Sequence, residues 1–137
     1  MDSRTRAREL AMQGLYQLDV QGSYVLEQLD DFFLENEKNI NIRKLAKDWT
    51  KGTWENLTDC DQLIKGSTEK WGLSRLSLVD KSILRLSVYQ LKYRADIPPK
   101  VVINEALELA KKFSSVKSSS FVNGVLDSIL KKLKAEN

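Results

Sequence analysis

The 137-residue sequence predicts an all-α fold of about seven helices, arranged as two small helical-bundle subdomains. Three observations carry that expectation. Apolar residues recur at spacings of three and four along most of the chain, no stretch alternates as a strand would, and the only two prolines are adjacent, Pro98 and Pro99. With 42% hydrophobic residues the chain has enough apolar material for a compact core.

The first helix is expected over residues 4–19, with Ser3 as its N-cap and a loop around Gly22 and Ser23. Ala7, Ala11, Gly14, Leu15 and Leu18 form its inward stripe. A second helix covers residues 25–36 and a third residues 42–57, where Leu45, Ala46, Trp49, Thr53 and Leu57 share a face. Asp59 or Asp61 opens a short fourth helix running to Trp71. Gly72, Leu73 and Ser74 then break the pattern and divide the chain into subdomains of residues 1–73 and 74–137.

Ser77-Leu78-Val79-Asp80 has the spacing of a capping box with Asp in the acidic position, and it starts a helix over residues 78–93. The apolar residues of that helix cover most of its circumference, which makes it the expected central helix and leaves a polar strip of Lys81, Arg85 and Lys92. Proline is tolerated in a first helical turn, so Pro98 and Pro99 start the next helix, with Val102, Ala106, Leu109, Ala110 and Phe113 as its stripe. The serine-rich residues 114–120 end it. The last helix, residues 119–134, buries Val122, Val125, Leu126, Ile129, Leu130 and Leu133 and finishes on Lys131, Lys132 and Lys134, cations that suit a helix C-terminus.

The side-chain inventory excludes several chemistries. Histidine is absent and Cys60 is the only cysteine, so neither a zinc site of several Cys or His ligands nor a nucleophile with a His base can be assembled. No catalytic residue, metal or cofactor is expected, and the chain reads as a non-enzyme. No apolar stretch approaches the roughly 20 residues that cross a bilayer, and the opening residues lack a signal-peptide core, so a soluble cytoplasmic protein without membrane contact is expected.

Charge is segregated. Residues 1–75 carry 11 Lys and Arg against 13 Asp and Glu, a net −2, whereas residues 76–137 carry 11 against 6, a net +5. Within the acidic half, Arg4, Arg6 and Arg8 crowd the first turns of a helix, where the macrodipole already presents positive charge. Helix stability does not explain them. Unpaired N–H groups and guanidinium forks in one place suit phosphate, although a solvated basic end accounts for the same residues.

Tyr16 points almost opposite the inward stripe, beside Glu9, Met12 and Gln13, and so sets an outward aromatic on the arginine-bearing helix. Single-stranded RNA stacks its bases on aromatic rings while cations take its phosphates. The competing reading packs Tyr16 against another helix. Phe121 sits to one side of its own stripe, after the serine run and Lys117, and is a second possible base platform, whereas periodicity puts Phe113 in the core.

The segment Arg6-Ala7-Arg8-Glu9-Leu10-Ala11-Met12-Gln13-Gly14-Leu15-Tyr16 resembles the arginine-rich opening of the NusB family of bacterial antitermination factors. Leu76-Ser77-Leu78-Val79-Asp80, Ile83-Leu84-Arg85-Leu86, Asp96-Ile97-Pro98, Ile103-Asn104-Glu105-Ala106 and Phe121-Val122-Asn123-Gly124-Val125-Leu126-Asp127 look like its successive signatures, in order and over nearly the whole chain. The resemblance implies an all-helical fold of two subdomains. It also implies binding of single-stranded boxA RNA in nascent transcripts together with the ribosomal protein NusE, within an RNA polymerase antitermination complex on rRNA operons. Carried over by position, the RNA-binding residues are Arg4, Arg6, Arg8, Gln13, Tyr16, Phe113 and Phe121, and Asp80 belongs to the NusE contact.

Two departures bear on RNA affinity: Thr5 stands where family members often carry another arginine, and Lys117 where an acid can occur. Two other readings stand beside the antitermination factor. One is the RNA-binding domain of an rRNA cytosine methyltransferase, the other a protein-only helical adaptor. Monomer and homodimer are both open.

Overall fold

A computed structural model of the chain describes residues 2–69 and 76–136. Seven α-helices are present among the described residues: α1 (Ser3–Gln21), α2 (Leu29–Asn36), α3 (Ile40–Glu55), α4 (Leu57–Ser67), α5 (Leu78–Tyr93), α6 (Pro99–Phe113) and α7 (Val116–Ala135). No strand occurs among them.

Local chemistry accounts for most boundaries and corrects several of the expected ones. The N-cap of α1 is Asp2 rather than Ser3, because the Asp2 carboxylate accepts from the Arg4 backbone N–H at 2.8 Å. Gly22, at φ 104°, ends α1 where a side chain would be strained, and its N–H donates to Leu18 O at 2.9 Å. The expected second helix is only half α: Ser23–Gln28 is a 3₁₀ segment that leads into α2.

Asn39 caps α3 two residues earlier than expected, accepting from Asn41 N and Ile42 N. Asn56 closes α3 by donating its side-chain amide to Gly52 O at 2.8 Å, so that α4 begins at once, at Leu57. Helix α4 ends at Ser67, with Thr68 as its C-cap. The expected helix end at Trp71 and the subdomain break at Gly72-Leu73-Ser74 lie outside the described residues.

The serine run differs most from expectation. Only Ser114 and Ser115 separate α6 from α7, and Ser115 is the N-cap of α7, accepting from Ser118 N at 3.0 Å. Residues 116–120 are therefore the first turns of α7, because serine hydroxyls favour helix starts over chain breaks.

Helix α5 is central, as its apolar circumference predicts. It packs against α1, α3, α4, α6 and α7, and residues 82–90 are all buried. Buried Ser82 and Ser87 are satisfied by donating to carbonyls one turn back, Leu78 O and Ile83 O, each at 2.8 Å. The polar strip of α5 is tied down by acids, and of its three residues Arg85 alone is buried. Lys81 pairs with Asp19, Arg85 with Asp19 and Asp61, and Lys92 with Asp59, so acids of α1 and α4 close over the strip.

Helix α1 lies close to α2 and α3 at Gly14, where an added Cβ would stand 3.3 Å from both Phe33 and Thr50. A side chain there would press on both neighbours, which would have to give by a few tenths of an ångström. From Ala7 to Met12 the helix is buried on every side, and only beyond it does α1 reach solvent again at Tyr16 and Val20.

Candidate nucleic-acid interface

The three arginines of α1 have three different environments. Arg4 is exposed, and no salt bridge holds its head among the described residues. Arg6 staples the start of α1 to the end of α2: its Nη2 donates to Asn36 O at 2.7 Å, its Nε to Glu37 at 3.2 Å and its Nη1 to Glu9 at 3.2 Å. The Asn36 carbonyl belongs to a helix C-terminus, the negative end of the dipole.

Arg8 is the correction. Expected on the phosphate-facing tip, it is 2% exposed, with its guanidinium 5.0 Å over the Trp49 ring, Nε donating to Gln90 at 3.3 Å and Nη1 3.6 Å from Glu105. Burial pulls its pKa below the usual arginine range, against the opposing pull of Glu105. A side chain so placed does not offer its fork to a surface ligand.

Glu9 and Met12, expected beside Tyr16 on the outward face, are also buried. Arg6 and Lys112 hold the Glu9 carboxylate between them, the Lys112 Nζ at 2.5 Å. Lys112 also lies 5.4 Å from the centre of the Phe113 ring. The only trace of this lysine in the sequence is a basic last turn of α6, since the contact with Glu9 joins residues 103 apart.

Tyr16 is 38% exposed and lines a groove of about 380 Å³ with Gln13, Phe32, Asn36, Val79 and Phe113. Three residues nominated from sequence, Gln13, Tyr16 and Phe113, are thus brought together. Phe113 is only partly buried, so the core position read from its periodicity holds for one side of the ring alone. Phe32 is a wall residue that sequence reasoning missed, because its own helix gives no hint of α1 beside it.

Phe121 is not in that groove. It lies between α4 and α7, lining a separate groove of about 430 Å³ with Ser67, Gly124 and Ser128. Asp80 stands in the first turn of α5, one residue from Val79, and is buried at 7% exposure. Ser77 caps its N–H at 3.0 Å as the capping box predicts, and its carboxylate accepts from Ser118 Oγ at 3.0 Å.

Cys60 is fully buried, and burial together with Asp59 and Asp61 pushes its thiol up to about 12. A thiol that stays protonated at neutral pH is not a nucleophile. No helix of the described residues is long and apolar enough to cross a membrane.

Comparison with known proteins adds a consistent set of likenesses. A family model described as the NusB family matches residues 5–131. The transcription antitermination protein NusB of Treponema denticola is 47% identical over 132 residues, which cover 94% of this chain and 96% of that protein. The solved structure of T. maritima NusB superimposes with a TM-score of 0.84 at 36% identity, covering 98% of this chain and 97% of that one. A structure of the antitermination factors NusB and NusE in complex with dsRNA matches with a TM-score of 0.86 at 30% identity, over 96% of this chain and 98% of that one.

Proposed function

The chain belongs to the NusB family, and from that premise we propose that it is an RNA-binding transcription antitermination factor. It takes boxA RNA of nascent rRNA transcripts together with NusE and acts on elongation as part of an RNA polymerase complex in the cytoplasm. It performs no chemistry itself. The observation that carries this reading is the full-length likeness to a chain solved with both NusE and RNA. The curated relatives bear the name of an antitermination protein, which favours this reading over a methyltransferase domain or a protein-only adaptor.

The RNA surface comprises Arg4 and the outer edge of Arg6 for phosphates, and Gln13, Tyr16 and Phe113 for bases, with Phe121 further along. Lys112 supports it as a cation beside Phe113. Arg8 serves from beneath, by fixing α1 on Trp49 and Gln90. Asp80, next to Val79 at the rim of the Tyr16 groove, is assigned to the NusE side.

A gel-shift titration with boxA-type RNA, with and without NusE, tests the reading. Binding is expected to weaken with added salt and to tighten when NusE is present. Salt-independent binding, or none with either protein, would overturn it. The solved likeness contains dsRNA, and a duplex probe therefore belongs in the same titration. Stacking on Tyr16 and Phe113 favours the single strand, because a paired base offers no free face.

A further inference from the structure

One carboxylate holds the junction between α6 and α7. Ser118 Oγ donates to Asp80 Oδ2 at 3.0 Å, and the same Oγ accepts from Ser114 Oγ at 2.8 Å and from Ser115 Oγ at 3.2 Å. Each hydroxyl owns a single proton, so the run has one direction: Ser114 and Ser115 donate to Ser118, and Ser118 donates its own hydrogen bond to Asp80. The carboxylate is the terminal acceptor of the hydrogen bonds that order residues 114–118, joining residues 38 apart in sequence.

The second oxygen of Asp80 is unlike the first. Oδ1 is buried and has no hydrogen-bond partner among the described residues. A buried carboxylate oxygen without a donor is costly, so the Ser118 hydrogen bond to the other oxygen carries the side-chain satisfaction of this carboxylate among the described residues. Phe113 ends α6 immediately before this junction, and Phe121 follows on the second turn of α7. The hydrogen bonds of residues 114–118 therefore lie between the two aromatic flanks.

We propose that Asp80 is a positioning residue for RNA binding: through Ser118 it sets the α6–α7 junction between Phe113 and Phe121. The inference rests on the RNA-binding reading above.

The test uses the full chain without any protein partner, and two measurements: titration with boxA-type single-stranded RNA, and amide hydrogen exchange across residues 114–120. Asp80→Ala and Ser118→Ala are each expected to weaken RNA binding about tenfold, the size of a hydrogen bond to a charged group, and to speed exchange in that segment. Asp80→Asn keeps an acceptor for Ser118, so both readouts are expected to stay within about twofold of the parent chain. The double alanine variant should be no weaker than either single one, because both remove the same bond.

Unchanged exchange at residues 114–120 in both alanine variants would overturn the proposal, as would full RNA affinity in both. Should Asp80→Ala fail to fold, Ser118→Ala, which leaves the Ser77 cap of α5 intact, decides the matter. If the parent chain itself binds no RNA, the RNA-binding reading falls, and the exchange measurement alone rules on the Asp80 link.

Discussion

Arg85 and Arg8 are both buried arginines, yet their surroundings differ. In the seam of α1, α4 and α5, Arg85 donates to both oxygens of Asp61 at 2.8 and 2.9 Å and lies 3.2 Å from Asp19. Burial is the largest single influence on it and lowers its pKa, but the hydrogen bonds and charges of the two acids together outweigh burial and raise it. Arg8 has one carboxylate at 3.6 Å, an aromatic face and an amide, and for it burial wins. The difference teaches that the supply of acids sets what a cation does here. Where acids converge, the cation locks helices together; where they are scarce, it packs as a flat cation over an aromatic face or, like Arg4, stays in water available to a polyanion.

Substitution by methionine gives the largest expected effect and the most direct way to break this comparison. Arg85→Met strands Asp61 and Asp19 beside each other and should cost about 3 kcal/mol or more, measured by urea unfolding. Arg8→Met retains most of the packing on Trp49 and should cost no more than about 1 kcal/mol. Equal losses at the two sites would erase the distinction.

Next in size is Tyr16→Ala, expected to weaken binding of boxA-type RNA by about 1–3 kcal/mol in a fluorescence titration, the usual range for one stacked base. The melting temperature should move little, since the ring is partly in solvent. A stability loss without loss of RNA affinity would return Tyr16 to a packing role.

A smaller effect sharpens the contrast among the cations. Arg4→Gln should reduce RNA affinity at low salt and lower the slope of log K against log salt by about 0.7, the value of one phosphate contact on a single strand. Lys92→Gln should leave that slope unchanged, because Asp59 already holds the Lys92 ammonium.

The smallest effect concerns pH. Asp59 is held below its ordinary carboxylate range first by the Lys92 hydrogen bond and then by that of Tyr93, and Asp96 by Arg94. A depressed carboxylate binds its proton more weakly in the folded chain than in the unfolded one. The stabilisation is therefore complete above the ordinary carboxylate range and lost as pH falls through the lowered one. Asp59 is partly and Asp96 well exposed, so solvent screens the gain, and a shallow decline in melting temperature confined to acid pH is expected. A decline already evident near neutral pH would place the titrating group elsewhere.

The fold was legible because its signals are local. The Ser77 cap, the proline start of α6 and the stripe of Val102, Ala106, Leu109 and Ala110 each depend on residues within a few positions of one another. Where a boundary was misread, at Asp2, at Asn56 and in the serine run, two local solutions competed and a nearby side chain settled the outcome. The site was half legible. Gln13, Tyr16 and Phe113 were named and do meet, whereas Phe32, Lys112 and the Ser118 bond to Asp80 had no signal in a one-dimensional pattern.

The sequence by itself determined the helices, the Ser77 cap, the all-α class and the family, because hydrogen bonding and periodicity within a helix act over four residues or fewer. Only the tertiary structure decided which charges face water. Arg4, Arg6 and Arg8 look alike on paper, and what separates them is Glu37 on the far side of α2, Glu9 clasped by Lys112, and Trp49 and Gln90 from two other helices. Burial of a charge depends on everything packed around it, and those neighbours arrive from distant parts of the chain.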